Sequence, residues 1–247
     1  MKHRFLPHIT MYNSCVTCGF VQEVSRDKQC EGCGESLYIT REWFPDSVYE
    51  YVMLLEDYHQ RPTSKLRKKY FKAVQEDNEW TAWFEGPESK LNPTQDWQPI
   101  TILLYRSLFE KLIDHFLWKV MYVHLLPSGN AEAYAYFILD QLPTVSDKIG
   151  KGYRFVTNGK KWKDDLKELG FESLDHLLIQ TAKVRNEWVH ENPVAGYGDL
   201  ELAQKARESI PSLIELFVKL ANKYFHPVAL ALSKIDIVHR DENKKES

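Results

Sequence analysis

The sequence predicts a mainly α-helical protein, an up-and-down helical bundle preceded by a small cysteine-rich module. The 247 residues are 43% hydrophobic and contain seven Trp, thirteen Tyr and twelve Phe but only eleven Gly and eleven Pro. This composition favours packed helices over a turn-rich β architecture. Apolar residues recur at helical spacing along most of the chain after residue 45. All four cysteines lie within the first 33 residues.

The charge balance excludes a protein that binds nucleic acid over its whole surface. The 32 basic residues stand against 35 acidic ones, for a net charge of -3, so any nucleic-acid contact has to come from a local patch. The first residues form no apolar run followed by small residues, so we predict no secretory signal and expect a cytoplasmic protein. Charged residues interrupt the apolar stretch 100–126, which predicts a soluble helix and no membrane span.

The cysteines form two Cys-x-x-Cys pairs, Cys15/Cys18 and Cys30/Cys33. Each pair brings two thiolates to one metal ion from a tight turn, and two pairs complete a tetrahedral shell. Gly19 and Gly34 follow the pairs and supply the permissive backbone that such turns need. Two other interpretations of the cysteines fit less well. A disulfide framework suits a secreted chain, and a redox pair normally occurs once, ahead of a helix in an α/β fold.

We therefore predict one structural zinc ion per chain, since four cysteine ligands leave no position for water or substrate. The segment resembles a zinc ribbon with Cys15, Cys18, Cys30 and Cys33 as ligands, and its folding is expected to depend on the metal. With four thiolates and a zinc dication the formal charge becomes about -5. The ribbon is therefore a poor surface for binding nucleic acid. The alternatives are that it contacts a protein or that it simply caps the fold.

The predicted helices follow in order, and each is bounded by capping residues, glycine or proline. They span about 46–60, 64–85, 98–125, 131–142, 162–169, 173–190 and 200–226, and Pro211 forces a kink or a restart in the last one. Two prolines make 87–96 the best linker candidate. The predicted organisation is a zinc ribbon at 1–40, a helical connector at 41–97 and a helical bundle at 98–247.

The most informative motif lies near the end of the helix 173–190, in the run Arg185-Asn186-Glu187-Trp188-Val189-His190. At about 100° per residue, Asn186 and His190 share one helix face, and the long side chain of Arg185 reaches round to it. A helix carboxyl end also favours a protonated imidazole, so both forms of His190 are expected to be accessible near neutral pH. The alternative is that Arg185 and His190 only cap the helix, with Arg185 paired to Glu187 or Asp175.

This motif resembles that of the HEPN superfamily, an Arg and a polar residue followed by three variable residues and a His. Arg185, Asn186 and His190 match it, and the bundle 98–230 is similar to the family fold. The resemblance implies a homodimer in which two motifs form one composite site, and many members are metal-independent endoribonucleases.

Cleavage of RNA through its 2′-hydroxyl needs a base, an acid and a positive charge beside the phosphate oxygens. His190 is suited to the acid and base roles, Arg185 to the phosphate contact, and Asn186 to orienting the phosphate or His190. Glu110 is a candidate to brace Arg185, with a plain surface ion pair as the alternative.

The segment 148–163 is predicted to be a basic loop that guides single-stranded RNA. It contains six basic residues, no acidic residue and three aromatic ones, Tyr153, Phe155 and Trp162, whose rings are expected to stack on unpaired bases. The residues predicted to bind RNA are Lys151, Tyr153, Arg154, Lys160, Lys161 and Trp162. The alternative is a solvated loop whose aromatic side chains anchor it to the bundle.

The leading hypothesis is a homodimeric endoribonuclease, and the family likeness implies a toxin or antiviral setting with a protein partner or inhibitor. The second is a non-catalytic dimeric adaptor that binds protein or RNA, in which the bundle dimerises and the ribbon binds a protein partner. A nucleotide-binding module is less favoured, because the sequence contains neither a glycine-rich phosphate loop nor paired carboxylates.

Overall fold

The computed structural model describes residues 11–23, 29–35, 40–60, 97–190 and 200–233. Within them the protein is mainly helical, with one small sheet near the amino end. The mainly helical class is therefore as the sequence predicted, and the HEPN-like bundle topology stays a prediction. The second predicted helix, most of the connector, the linker and the carboxyl-terminal tail lie outside the described residues. None of the described helices is long and apolar enough to cross a membrane.

The sheet has three antiparallel strands, β1 (Tyr12–Cys15), β2 (Val21–Glu23) and β3 (Thr40–Glu42), in the order β2-β1-β3. In its register Ser14 lies opposite Val21 on one side and Arg41 on the other. Seven helices carry most of the rest of the described chain. They are α1 (Asp46–Gln60), α2 (Trp97–Leu125), α3 (Ala131–Asp140), α4 (Trp162–Leu169), α5 (Glu172–His190), α6 (Leu200–Glu208) and α7 (Ile210–Tyr224).

Proline and glycine set several of these bounds. The single helix predicted over 200–226 is two helices, because the chain ends α6 and restarts at Ile210-Pro211, where a proline suits a first turn. Gly170 ends α4 with φ of 80°, a left-handed value that favours glycine. After Tyr224 the chain continues in a further helical segment, 226–233.

The chain divides into two compact units. The first contains residues up to Pro45, Lys111–Gly170 and the chain from Ile214, and the second contains Asp46–Glu110 and Phe171–Leu213. Helix α2 contributes residues to both units. Its side chains Leu104, Leu108, Leu112, Phe116 and Val120 are all buried.

The first unit has an aromatic core on α2. Phe116 packs against Tyr153, Phe217 and Tyr224, and Trp162 packs edge-on against Tyr153 at 5.3 Å between ring centres. Such pairs add about 0.5–1.5 kcal/mol each beyond the burial of their area.

A buried carboxylate, Asp165, joins this core to α7. It is 1% exposed and accepts hydrogen bonds from Tyr153 Oη at 2.5 Å, Tyr224 Oη at 2.6 Å and Lys223 Nζ at 2.6 Å. Burial alone would raise the pKa of Asp165, but the bonds from Lys223 and the two tyrosines outweigh it and hold the pKa below its usual value. Asp165 is therefore a paired structural carboxylate.

The residues after β3 pack on α2 through His115. Its ring lies 5.3 Å from that of Trp43, edge to face, and 6.2 Å from that of Phe44. Burial lowers the pKa of His115 to about 3, the charge of Lys119 adds to this, and a hydrogen bond with the Trp43 backbone opposes it. His115 is thus a neutral histidine at neutral pH and belongs to the packing of the unit.

Replacing Asp165 by Asn is expected to lower the free energy of unfolding by about 3 kcal/mol at pH 7, because Lys223 then loses its buried charged partner. Because the folded-state pKa of Asp165 is lowered, its ionised form stabilises the protein at pH values above the unfolded-state pKa of about 3.9. This stabilisation is lost as the pH falls through the folded-state pKa. The difference from wild type should therefore narrow below about pH 4. Denaturant unfolding across pH measures it, with the exposed Asp140→Asn as control. Equal stability of Asp165→Asn and wild type at pH 7 would contradict this network.

Candidate functional site

The four cysteines converge as the sequence predicted. Their sulfur atoms all lie within 4.8 Å of one another, with Cys15 Sγ 3.9 Å from Cys33 Sγ and Cys18 Sγ 3.6 Å from Cys30 Sγ. These distances are too long for a disulfide, whose sulfurs are about 2.05 Å apart. Bonds of about 2.3 Å to a tetrahedral zinc ion place sulfurs about 3.8 Å apart. The four thiols therefore fit a tetrahedral metal ion.

Two equivalent turns build this cluster. The Gly19 N–H donates to the Cys15 carbonyl at 2.8 Å, and the Gly34 N–H donates to the Cys30 carbonyl at 2.7 Å. Both glycines have positive φ, 77° and 75°, which explains why glycine follows each pair. Backbone N–H groups of Phe20 and Gly32 point at Cys18 Sγ and Cys30 Sγ, at 3.5 and 3.3 Å. Such donors stabilise the thiolates that a metal requires.

The carboxyl-terminal helices pack on the first of these turns, a feature that no sequence motif signalled. The side-chain amide of Asn222 donates to the Val21 carbonyl and accepts from the Val21 N–H, both at 2.7 Å. His226 Nδ1 lies 2.9 Å from the Cys18 carbonyl. A Cβ added to Gly19 would lie 2.6 Å from Ala229 Cβ, so the turn needs glycine here for space as well as for φ. The cysteine module is therefore part of the first unit.

The Arg-Asn-x-x-x-His motif occupies the last turns of α5, which runs to His190. Arg185 is half-buried and Asn186 is exposed, and Arg185 Nη1 donates to Asn186 Oδ1 at 3.3 Å. The side chain of His190 lies outside the described ones. Arg185 and Asn186 are adjacent in sequence, so this contact is local to the helix, and the convergence of the three motif side chains stays a prediction.

Helix α2 adds charged groups that belong to the same unit as Arg185. Arg106 is buried, and its Nη2 lies 3.9 Å from Glu110 Oε1. Burial lowers the pKa of Arg106, the neighbouring charge of Arg185 lowers it further, and Glu110 opposes both effects. Glu110 was a candidate to brace Arg185, with a plain ion pair as the alternative, and the structure places its carboxylate near Arg106. Arg106 itself escaped sequence reasoning because a single Arg in an apolar helix carries no motif.

The basic segment 148–163 is largely helical, in contrast to the predicted loop. Short helical turns cover Val145–Asp147, Lys148–Gly152 and Tyr153–Val156 before α4 begins at Trp162. Gly152 makes this packing possible, because a Cβ there would lie 2.7 Å from Leu142 Cδ1. The sequence suggested a loop because the close approach of Gly152 to Leu142 is a tertiary contact, which the local sequence pattern does not indicate.

Burial corrects two of the predicted RNA-binding residues. Tyr153 and Trp162 are core side chains, so neither ring offers a face to a base, as the anchoring alternative expected. Lys151, Arg154, Lys160 and Lys161 are exposed, and Lys151 is paired with Asp147 at 3.0 Å. Phe155 lies among these basic residues and is 62% exposed, so it is the aromatic side chain of the segment that solvent reaches.

Comparison of the chain with protein-family models, curated proteins and solved structures found no match.

Removing the metal is expected to unfold the cysteine module and expose the face of α7 that packs on it, because the buried apolar cluster of the described module residues is built on Cys15, Cys18 and Cys30. We expect purified protein to carry one metal ion per chain by elemental analysis. Cys18→Ser should abolish this binding and speed amide hydrogen exchange at Val21, Asn222 and Phe225. The exposed Val16→Ser, in the same turn, is the control. Unchanged exchange at these sites in a metal-free protein would contradict the dependence.

Proposed function

We propose that the protein is a metal-independent endoribonuclease of the HEPN type, active as a homodimer. The observation that carries the proposal is the contact between Arg185 and Asn186 in the last turns of α5, in a mainly helical fold, within a motif whose third member is His190. The spacing of the motif and the helical fold support the HEPN assignment. A toxin or antiviral setting, with an inhibitor as partner, follows from the same likeness.

In the proposed reaction His190 of one protomer removes the proton from the RNA 2′-hydroxyl. The 2′-oxygen forms a bond to phosphorus as the bond to the 5′-oxygen breaks, and His190 of the second protomer protonates that leaving oxygen. The products are a 2′,3′-cyclic phosphate and a 5′-hydroxyl, so atoms and protons balance without a metal. The guanidinium of Arg185 stabilises the charge on the phosphate oxygens, and Asn186 orients Arg185.

In this proposal the ion of the four-cysteine cluster is zinc, and its role is structural. Four sulfur ligands suit zinc, and none of the four positions is open to substrate. The ion holds the module against α7 and takes no part in the reaction.

The exposed basic side chains of 148–163 form the proposed RNA-binding surface, with Phe155 in place of Tyr153 and Trp162 as the stacking ring. Arg154, Lys160 and Lys161 supply attraction for phosphates, and a base stacked on an aromatic ring contributes about 1–3 kcal/mol.

A second candidate function is a non-catalytic adaptor, and the surface of α3 favours it. Tyr134, Tyr136 and Phe137 are 48%, 53% and 64% exposed on this helix. Exposed aromatic clusters are typical of protein-binding surfaces. Equal activity of the wild-type and His190→Ala proteins in cells would favour this candidate.

Arg185→Ala and His190→Ala are each expected to slow RNA cleavage by at least about 100-fold, because each removes a charge-stabilising or proton-transfer group. The assay uses a labelled structured RNA without magnesium, with zinc-replete protein. Lys183→Ala and His176→Ala, exposed side chains on the same helix, are the matched controls. Cleavage by both motif variants at the wild-type rate would overturn the proposed site.

Phe155→Ala is expected to weaken binding of single-stranded RNA by about fivefold or more, the loss of one stacked base. Fluorescence anisotropy with the His190→Ala protein measures affinity without cleavage. Phe137→Ala removes an equally exposed ring from α3 and is the control. Equal losses in the two variants would rule out a specific role for Phe155.

A further inference from the structure

Lys119 is a half-buried lysine on α2 whose amine lies beside aromatic rings. Its Nζ is 5.5 Å from the centre of the Trp118 ring and 5.8 Å from that of the Trp43 ring. Trp43 is 2% exposed and packs against Phe225 at 4.9 Å between ring centres. All of these residues belong to the first unit. The fold therefore places this amine against an aromatic surface.

The amine of Lys119 has no anionic partner among the described residues. A lysine ammonium has three N–H donors, but no carboxylate or carbonyl oxygen of the described chain binds this one. Asp114, the acidic residue nearest to it in sequence, lies 2.7 Å from Lys148 Nζ instead. Nζ of Lys119 is also not one of the fully buried polar atoms that lack a partner, so a small molecule in solution reaches it. Lys119 thus offers an accessible amine that no described carboxylate neutralises.

The surroundings of Lys119 favour the unprotonated amine. Burial lowers the pKa of Lys119, and the positive charge of Arg41 lowers it further. Arg41 is two residues before Trp43, whose N–H donates to the Tyr12 carbonyl at 2.8 Å and so continues the pairing of β3 with β1. Side chains two residues apart on a strand leave the same face, and the ring of Trp43 on that face contacts the amine. His115, one turn earlier on α2, is uncharged at neutral pH and adds no negative charge.

A lysine that is desolvated or next to another cation is a nucleophile, because more of its amine carries a free lone pair at neutral pH. We propose that Lys119, activated by its burial beside Trp43 and by the charge of Arg41, forms an imine with an apolar aldehyde. The two indole rings supply the apolar surface for such a ligand. The site uses no residue of the α5 motif, so it does not depend on the proposed function.

The imine forms in two steps. The Nζ lone pair forms a bond to the carbonyl carbon of the aldehyde, and one amine proton moves to the carbonyl oxygen. The resulting carbinolamine loses its hydroxyl group and the second amine proton as water, which leaves a C=N bond to Nζ. Atoms and protons balance without an oxidant or a reductant, and hydrolysis reverses the reaction.

Reductive trapping of the imine tests this site. Folded, zinc-replete protein is incubated at pH 7 and low ionic strength with propanal and cyanoborohydride, which reduces an imine to a stable propylamine. Peptide mass spectrometry then follows the labelling of each lysine with time. Lys119 is expected to be labelled at least about fivefold faster than Lys167, an exposed lysine of α4, because more of its amine is unprotonated. In guanidinium-denatured protein the two lysines should be labelled at equal rates.

Two arginine variants test the cause of this reactivity. Arg41→Gln removes the neighbouring cation and is expected to slow the labelling of Lys119 at pH 7 by about twofold or more, an effect that salt should screen. Arg41→Lys keeps the charge and should keep the rate. Arg154→Gln removes an exposed arginine from the same unit and is the matched control, which should leave the rate unchanged.

A purely structural role for Lys119 predicts the opposite order. An ammonium held by the two indole rings would be labelled more slowly than Lys167 in the folded protein, and Arg41→Gln would not change its rate. Either of these results would overturn the inference. A faster rate for Lys119 that persists in the denatured protein would overturn it as well, because the folded surroundings would then not be the cause.

Discussion

Burial of the helix Trp97–Leu125 is the constraint on which the rest of the structure depends. Its first part supplies Leu104, Leu108 and Arg106 to one compact unit, and its second part supplies Leu112, Phe116 and Val120 to the other. The buried side chains of this helix constrain what can pack against them, because interiors are dense and tolerate few voids. The aromatic core around Phe116 and the charged cluster around Arg106 both follow from its placement.

The cysteine module shows how a local signal becomes part of a larger core. The Cys-x-x-Cys pairs set the turns, but Asn222, Phe225 and His226, some two hundred residues later, cover them. The bidentate amide of Asn222 satisfies both backbone groups of Val21, as a neighbouring strand would do. A metal ion at the cysteines therefore stabilises the packing of α7 as well as the module itself.

Much of the fold was predictable because it is encoded locally. Cysteine spacing predicted that the four cysteines converge. Helical periodicity, with Gly and Pro at the helix ends, closely predicted the bounds of α2, α4 and α5. What could not be predicted depends on contacts distant in sequence. Tyr153 was predicted to stack on bases, but it is buried and contacts Asp165 and Phe116. The residues before it are helical, and the close approach of Gly152 to Leu142 is a tertiary contact. The HEPN likeness and the roles of Arg185, Asn186 and His190 stay predictions, and Arg106 carried no signal until α5 was placed beside it.

The end of α5 is proposed to carry an RNA-cleaving site that works through the 2′-hydroxyl. Its most direct test is mass spectrometry of the RNA ends left by the zinc-replete protein in magnesium-free buffer. We expect 2′,3′-cyclic phosphate and 5′-hydroxyl ends, because the attacking oxygen belongs to the RNA itself. Fragments with 3′-hydroxyl and 5′-phosphate ends, or intact RNA across several structured substrates, would contradict it.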